Sequence, residues 1–311
     1  RSENAYNEIA NIIHTGDLAD IREKAGLFLS SRAKEGINQK EEAFLSHIAG
    51  NIPIIGRFEK ASERAAVIML DKLRSDVFDK IYNRWLQQGV IPSDDDLKEI
   101  AKFINHATGR GTGKLFDNAG DALATGMFAP RYWASKPQML WDVLGPGGAG
   151  GLGSTLARKE AAKTVAAWLG TMTTIGGLGY AGAAAAGKDP TFGVNPQAGD
   201  FGKLGVGGTS VDLTGGLSTD IMAAFRLAAG AKADANGNWL PTDRSAIGSR
   251  YLRGKLSPSA GLAVDLLTGS DYNNIAIDHE TLMTPSGALR TFNNTFGNLF
   301  LNDLYQEYVH V

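Results

Sequence analysis

The residues of this chain best placed for chemistry lie between Asn105 and Lys114, where Gly109, Gly111, Gly113 and Lys114 crowd together as in a loop that cradles phosphate. Such a loop needs a first glycine, four intervening residues, then Gly-Lys and a Ser or Thr, because backbone amides hold the phosphate while the hydroxyl holds magnesium. Here Leu115 follows Gly113 and Lys114, and Thr108 stands where the first glycine belongs. No strand leads in, so Thr108 to Thr112 reads as a helix end, with Gly109 left-handed and a turn after it. Arg110 and Lys114 are expected in solvent, as isolated cations on a turn usually are. Two further patterns fit GxGxxG: Gly145, Gly147 and Gly150, and Gly177, Gly179 and Gly182. A dinucleotide loop follows a strand and opens a helix. The first pattern instead lies in GPGGAGGLG, a flexible linker by composition, and the second lies in an alanine-rich run where small residues permit close helix contact.

Metal and nucleophile chemistry find little better support. Asp94, Asp95 and Asp96 are consecutive, so their side chains diverge around a helix and serve its first turn rather than one ion. Asp234, Asn236 and Asn238 echo a calcium loop, but Ser245 stands at the twelfth position, where a Glu is needed. The five histidines, His14, His47, His106, His279 and His310, are too far apart in sequence to suggest a metal pair, and the adjacent Asp278, His279 and Glu280 point in different directions. A Ser-His-Asp triad assembled from distant residues stays open, although nothing like GxSxG marks a nucleophile. No catalytic residue, cofactor-binding residue or metal ligand is therefore assigned, no cofactor is implied, and the chain reads as not being an enzyme.

The elements that must position these residues are helices. The chain has 311 residues, 43% of them apolar, with 31 basic and 33 acidic side chains, which gives a sizeable core and no polyelectrolyte character. There is no cysteine, which removes disulfides and thiolate chemistry together. The chain starts at Arg1 rather than methionine and shows no secretory signal at its start, so a processed product or part of a longer polypeptide is expected. Through Leu115 it carries 34 charged residues, 17 of each sign, and the remaining 196 residues carry only 30. That shift divides it into a charged helical region, 1–115, and a Gly/Ala-rich region, 116–311.

In the first region helices are expected over Asn4 to Ile13, Asp17 to Lys34, and Asn38 to Gly50, with an extended Ile52 to Ile55 around Pro53. The strongest runs from Ser62 to Gln88, where Ala66, Leu70, Leu73, Val77, Ile81 and Trp85 form a stripe that Phe78 and Tyr82 widen. Asp76 and Lys80 would pair on its polar side. Ser93 caps the next helix, with Leu97, Ile100, Ala101 and Ile104 inward. In the second region Ala119 to Met127 reads as a short apolar helix. Phe128, Pro130, Tyr132, Trp133, Met139, Leu140 and Trp141 form the densest aromatic stretch, expected as a core corner against the Ser62 helix. With Arg131 and Lys136 this stretch could stack on single-stranded nucleic acid, a weaker reading without a wider basic surface. Gly109, Arg110, Gly111, Phe128, Pro130, Arg131 and Trp133 together define a structural joint between the two regions.

From Thr164 to Gly187 no residue is charged over 24 positions, enough at 1.5 Å per residue to cross a bilayer core of about 30 Å. The run is mostly Ala, Gly and Thr, so a buried helix is favoured over a spanning one. Trp168, Gly176, Gly179 and Ala183 mark its packing or membrane face. Lys203 to Val206 and Thr209 to Leu213, joined by Gly207 and Gly208, read as the one clear β-hairpin. Ser218 would cap a helix ending at Gly230, AKADANGNWLP a polar turn, and Ser257 and Pro258 a helix ending near Gly269. Leu289 to Val309 carries a further helical stripe. The fold class is mainly α: packed helices with one small hairpin near residues 203–213.

Five segments in order, SERAAVIMLDKLRSDVFD from Ser62, FINHATGRGTG from Phe103, MFAPRYWASKPQML from Met127, ARKEAAK from Ala157 and DFGKLGVGGTSVDLTGGL from Asp200, resemble the blocks of the large polyvalent protein-associated domains of phages and conjugative elements. The resemblance extends over nearly the whole chain after about Glu23. It departs from the family pattern in a longer NPQAG insertion before Asp200 and in Gly208, where the family usually has a polar residue. The resemblance implies a non-enzymatic module of a very large protein. In phages such proteins are commonly packaged in the particle and delivered with DNA. It points to a fragment of an internal virion or ejection protein, located in the capsid or at the portal and tail, and in the host envelope or cytoplasm after ejection. Its partners would be other copies of itself, portal, tail and ejection proteins, with the host membrane as a further partner and nucleic acid only a weak one. Two alternatives are an accessory module whose enzymatic domain lies outside this chain, and a membrane-inserting channel segment used in DNA delivery.

Overall fold

The computed structural model describes residues 2–29, 55–147, 149–234, 237–270, 276, 277 and 284. The expected helix at Asn38 to Gly50, the extended segment through Pro53, the tail from Leu289, and His47, His279 and His310 lie outside them. The architecture is mainly α, with helices α1 (Ser2–Thr15), α2 (Ala19–Lys24), α3 (Ile55–Gln87), α4 (Asp94–Ala107), α5 (Lys114–Gly126), α6 (Pro130–Leu144) and α7 (Thr155–Ala185). Strands β1 (Thr191–Phe192), β2 (Lys203–Val206) and β3 (Thr209–Asp212) follow, then α8 (Leu217–Ala229), β4 (Ala231–Ala233), β5 (Trp239–Pro241), α9 (Arg244–Arg253) and α10 (Pro258–Thr268).

The chain forms two compact units. One holds the described residues through Ala161 and those from Lys255 onward, and the other is Ala162–Gly254. The fall in charge density at Leu115 therefore does not coincide with the division, which lies inside α7.

In the first unit α3 packs on α1 and α4, α4 packs on α6, and α5 lies against α6 and α10. Local chemistry sets the ends. Ser93 accepts from the Asp96 amide while the Asp96 carboxylate accepts from Ser93 N–H at 2.8 Å, a reciprocal cap that starts α4. Ser257 caps α10, and Gly269 at φ 68° ends it. Helix α2 is shorter than expected, because Gly26 at φ 73° stops it and Leu27 turns inward. The core holds Ile13, Phe78, Trp85, Ile100, Phe103 and Ile104, each fully buried. Burying a side chain of this size contributes about 1.5–3 kcal/mol.

The stripe on α3 is displaced from its expected line. Leu73 is 46% exposed, while Asp71, Arg74 and Ser75 continue the inward face of Phe78, Ile81 and Trp85. Asp76 pairs with Lys72 at 2.6 Å rather than with Lys80.

In the second unit β1, β2 and β3 form an antiparallel sheet in that order, with Leu204 opposite both Phe192 and Val211. Gly207 and Gly208 at φ 56° and 87° make the tight turn that their positive φ permits. The polar turn expected after Gly230 is instead a second hairpin, β4 with β5, pairing Lys232 with Leu240. Gly216, not Ser218, is the N-cap of α8. Ser218 sits in its first turn and donates to Asp212 at 2.9 Å.

Helix α7 is 31 residues long and is neither buried nor spanning. Among the described residues no helix is long and apolar enough to cross a membrane. Trp168, Gly176, Gly179 and Ala183 lie along one covered face, whereas Leu169 and Leu178 are 51% and 70% exposed. A Cβ at Gly176 would stand 2.9 Å from Leu213, and one at Gly179 2.7 Å from Leu204. The small residues therefore let side chains from the adjoining sheet lie directly on the helix backbone.

Candidate functional site

The joint from Asn105 to Trp133 is built where α4 ends. Gly109 takes φ 91°, the left-handed conformation expected of a helix-terminating glycine, and its amide donates to His106 O. Gly111 is buried against the start of α6, donating to Arg131 O at 3.1 Å. A Cβ there would be 2.5 Å from that oxygen and 3.0 Å from both Ala134 Cβ and Ser135 N, so no other residue fits without moving a backbone.

The two cations of the joint face inward. Arg110 is only 7% exposed and stacks its guanidinium 3.7 Å from the centre of the Phe28 ring, which corrects its expected place in solvent. Arg131, also 7% exposed, donates to Gly111 O at 3.2 Å and Phe116 O at 3.1 Å and overlies the Phe116 ring. A guanidinium can be buried in this way because its planar face tolerates an aromatic neighbour while its edge satisfies carbonyls. With Arg131 enclosed, the surface on which nucleic acid could stack loses one of its two expected cations.

The aromatic core corner also gives way. Phe128, Tyr132 and Trp141 are 44%, 36% and 51% exposed, and Trp133 is half-buried. Pro130, Arg131, Ser135 and Asp142 are the buried residues of α6, and that helix packs on α4 and α5. Phe128 contributes its backbone, donating to Lys255 O at 2.8 Å, while Ser257 N–H donates to Gly126 O at 3.0 Å. The joint thereby ties the chain to its return after residue 254. GPGGAGGLG is likewise packed rather than a loose linker: Gly145 and Gly151 are buried, and Arg158 donates to Gly145 O at 2.9 Å and to Leu152 O.

Around the joint lies a buried polar network that apolar periodicity did not indicate. Arg74, fully buried, donates from Nε to Thr108 Oγ1 at 2.8 Å and from Nη2 to Thr108 O at 3.3 Å, with Asp71 3.5 Å away. Asn105 accepts from Phe28 N–H at 2.9 Å and donates to Gly26 O at 3.0 Å, replacing the pairing that a strand would otherwise supply to residues 26–28. His106 joins Asp142, at 2.6 Å, to Thr112, at 2.9 Å. Lys102 Nζ lies 3.2 Å from the other oxygen of Asp142 and donates to Gly150 O at 2.7 Å. Arg84 reaches the buried Glu160 at 2.8 Å. Burial on this scale is tolerable only because each charge meets a countercharge or a carbonyl. The sequence signal for it was the extension of the Trp85, Ile81 and Phe78 spacing back onto Arg74 and Asp71.

A groove of about 400 Å³ opens beside α1 and α3, lined by Ile12, Asp17, Arg22, Lys72, Asp79 and Asn83 among others. Burial raises the pKa of Asp79 and the Asp76 charge adds to this, against the lowering effect of Arg22, whose Nε is 3.5 Å away. In the second unit, burial opposes ionisation of Asp212, but hydrogen bonds from Thr214, Ser218 and Gly216 outweigh it and lower its pKa. Among the described residues no group of three or more metal-ligating side chains converges. Asp234 turns its carboxylate onto Asn238 N–H at 2.8 Å, closing the hairpin loop. Comparison with family models, with curated proteins and with solved structures finds no match.

Proposed function

We propose that this chain is an internal structural component of a phage particle, an ejection protein associated with the portal or tail and delivered with the genome. One observation carries the reading. Three of the segments that bear the resemblance to the polyvalent-protein domains, those from Ser62, Phe103 and Met127, supply Arg74, Asn105, Thr108, Gly111 and Arg131, whose hydrogen bonds pin the end of α4 to α3, to residue 26 and to the start of α6. Residues placed this way serve a shape that must persist rather than a ligand that comes and goes. Exposed apolar side chains on α7 and β5, such as Leu178 at 70% and Trp239 at 62%, are the surface through which copies of this chain or other virion proteins would pack. The test is quantitative mass spectrometry of purified particles before and after triggered genome release. The protein should be present before and depleted after; a chain absent from intact particles would refute the assignment.

A further inference from the structure

The expectation of no catalysis rests on the lack of a marked nucleophile, and it left open a triad drawn from distant positions. The fold assembles one. His106, 2% exposed at its side chain, sets Nδ1 2.6 Å from Asp142 Oδ2 and Nε2 2.9 Å from Thr112 Oγ1. In the neutral imidazole the carboxylate, which can only accept, holds the proton on Nδ1 and leaves Nε2 to accept from the Thr112 hydroxyl. Asp142 is itself 1% exposed, with Lys102 as its countercharge. These are the separations and the order of nucleophile, base and orienting acid that acyl transfer requires.

The nucleophile is accessible and its surroundings are fixed. Thr112 is exposed, while its backbone is clamped by Gln138, which accepts from Thr112 N–H at 2.9 Å and donates to Thr112 O at 2.7 Å. Gly113, at φ 143°, then turns the chain into α5, which kinks at Ala119 (φ −133°, ψ 20°).

We infer that Thr112 is the nucleophile of a small acyl-transfer site acting on unhindered esters, with His106 as general base and Asp142 as the residue that positions it. This goes beyond the structural role proposed above and does not depend on it. In the first half-reaction Nε2 takes the Thr112 proton as Oγ1 bonds to the ester carbonyl carbon. The carbonyl then re-forms, the C–O bond to the alcohol breaks, and the alcohol leaves with the proton from Nε2. In the second, water attacks the acyl-threonine, giving a proton to Nε2 that returns to Oγ1 as the acid departs.

The test uses the full chain with p-nitrophenyl acetate, following p-nitrophenol release and, by intact-protein mass with peptide mapping, acetylation at Thr112. The wild type should show the adduct and Thr112→Val should lose it, with turnover falling about 100-fold, the range ascribed to a positioned base acting on its nucleophile. Thr112→Ser should keep the adduct and form it faster, since the primary alcohol is less hindered. Asp142→Asn should keep a weak adduct but shift the pH dependence of its formation, a change that loss of packing alone would not produce. Absence of an adduct on Thr112 in both wild type and Thr112→Ser, or release that persists unchanged in Thr112→Val, would overturn the inference.

Discussion

The two compact units bury different kinds of residue. In the first, Arg22, Asp71, Arg74, Arg110, Arg131, Asp142 and Glu160 lie inside beside Phe78, Trp85 and Phe103. In the second, among the described residues, the buried class holds only small or aliphatic side chains with Gln197 and Ser218, and no charge. The first unit is thus specified by directional bonds that few alternative packings could satisfy. The second is specified by backbone geometry: tight glycine turns, short hairpins and close approach at Gly176 and Gly179. The lesson is that loss of charge along a chain does not mark where its core is. The first unit encloses its charges, and the uncharged stretch of α7 from Thr164 leaves Leu169, Ile175, Leu178 and Tyr180 exposed.

The contrast predicts a graded response to mutation, read segment by segment through hydrogen exchange. Arg74→Met should be the most damaging, costing about 3 kcal/mol, because it removes the guanidinium beside buried Asp71 together with the hydrogen bonds to Thr108 and to Phe28 O. Exchange should rise in α3 and α4 and remain unchanged in residues 200–230. Equal loosening of both units would break the distinction. Asn105→Ala should cost about 1–3 kcal/mol, since it leaves the Phe28 amide and the Gly26 carbonyl without their partner. Protection at Phe28 is the amide to follow.

How much of this was legible in the sequence follows the same division. Signals carried by one residue type at one position were readable: Ser93 and Ser257 as caps, Gly109, Gly230 and Gly269 as helix ends, and the Gly207-Gly208 turn. A side chain that works locally needs no knowledge of the rest of the chain. Residues whose partners are distant were not readable. Charge alone reads Arg110 as surface, and apolarity reads Phe128, Tyr132 and Trp141 as core, because burial depends on what α4 and α6 offer each other. Ser218 was misplaced as a cap because its acceptor, Asp212, lies across a turn. Strands β4 and β5 were missed because three residues each, rich in alanine and asparagine nearby, carry no alternation long enough to detect.

Smaller effects sharpen the comparison. Asp212→Asn should cost the β3–α8 corner about 1 kcal/mol through weakened hydrogen bonds to Thr214 and Ser218. The wild-type carboxyl has a folded pKa below its ordinary 3.8, so its contribution is complete above 3.8 and is lost as pH falls below that value toward the folded pKa. Asp79 has the opposite sign. Its raised folded pKa means the ionised form costs stability above that pKa, and the cost is relieved on acidification. Protection of the β3–α8 amides, corrected for intrinsic exchange, should therefore hold down to about pH 3.8 and fall below it in wild type, and change less in Asp212→Asn. Leu178→Ser, on the open face of α7, should alter stability by no more than about 0.5 kcal/mol. If Leu178 is a packing surface in the particle, the same variant should be incorporated less efficiently while remaining folded.

The most direct test of the central claim, that the glycine-rich joint is a packing device and not a phosphate loop, is Gly111→Val, followed by thermal unfolding together with ATP titration of variant and wild type. The Cβ stands 2.5 Å from Arg131 O, so the variant should melt well below wild type, and neither protein should bind ATP. A Gly111→Val protein that melts with the wild type, and loses an ATP affinity that the wild type possesses, would contradict the account.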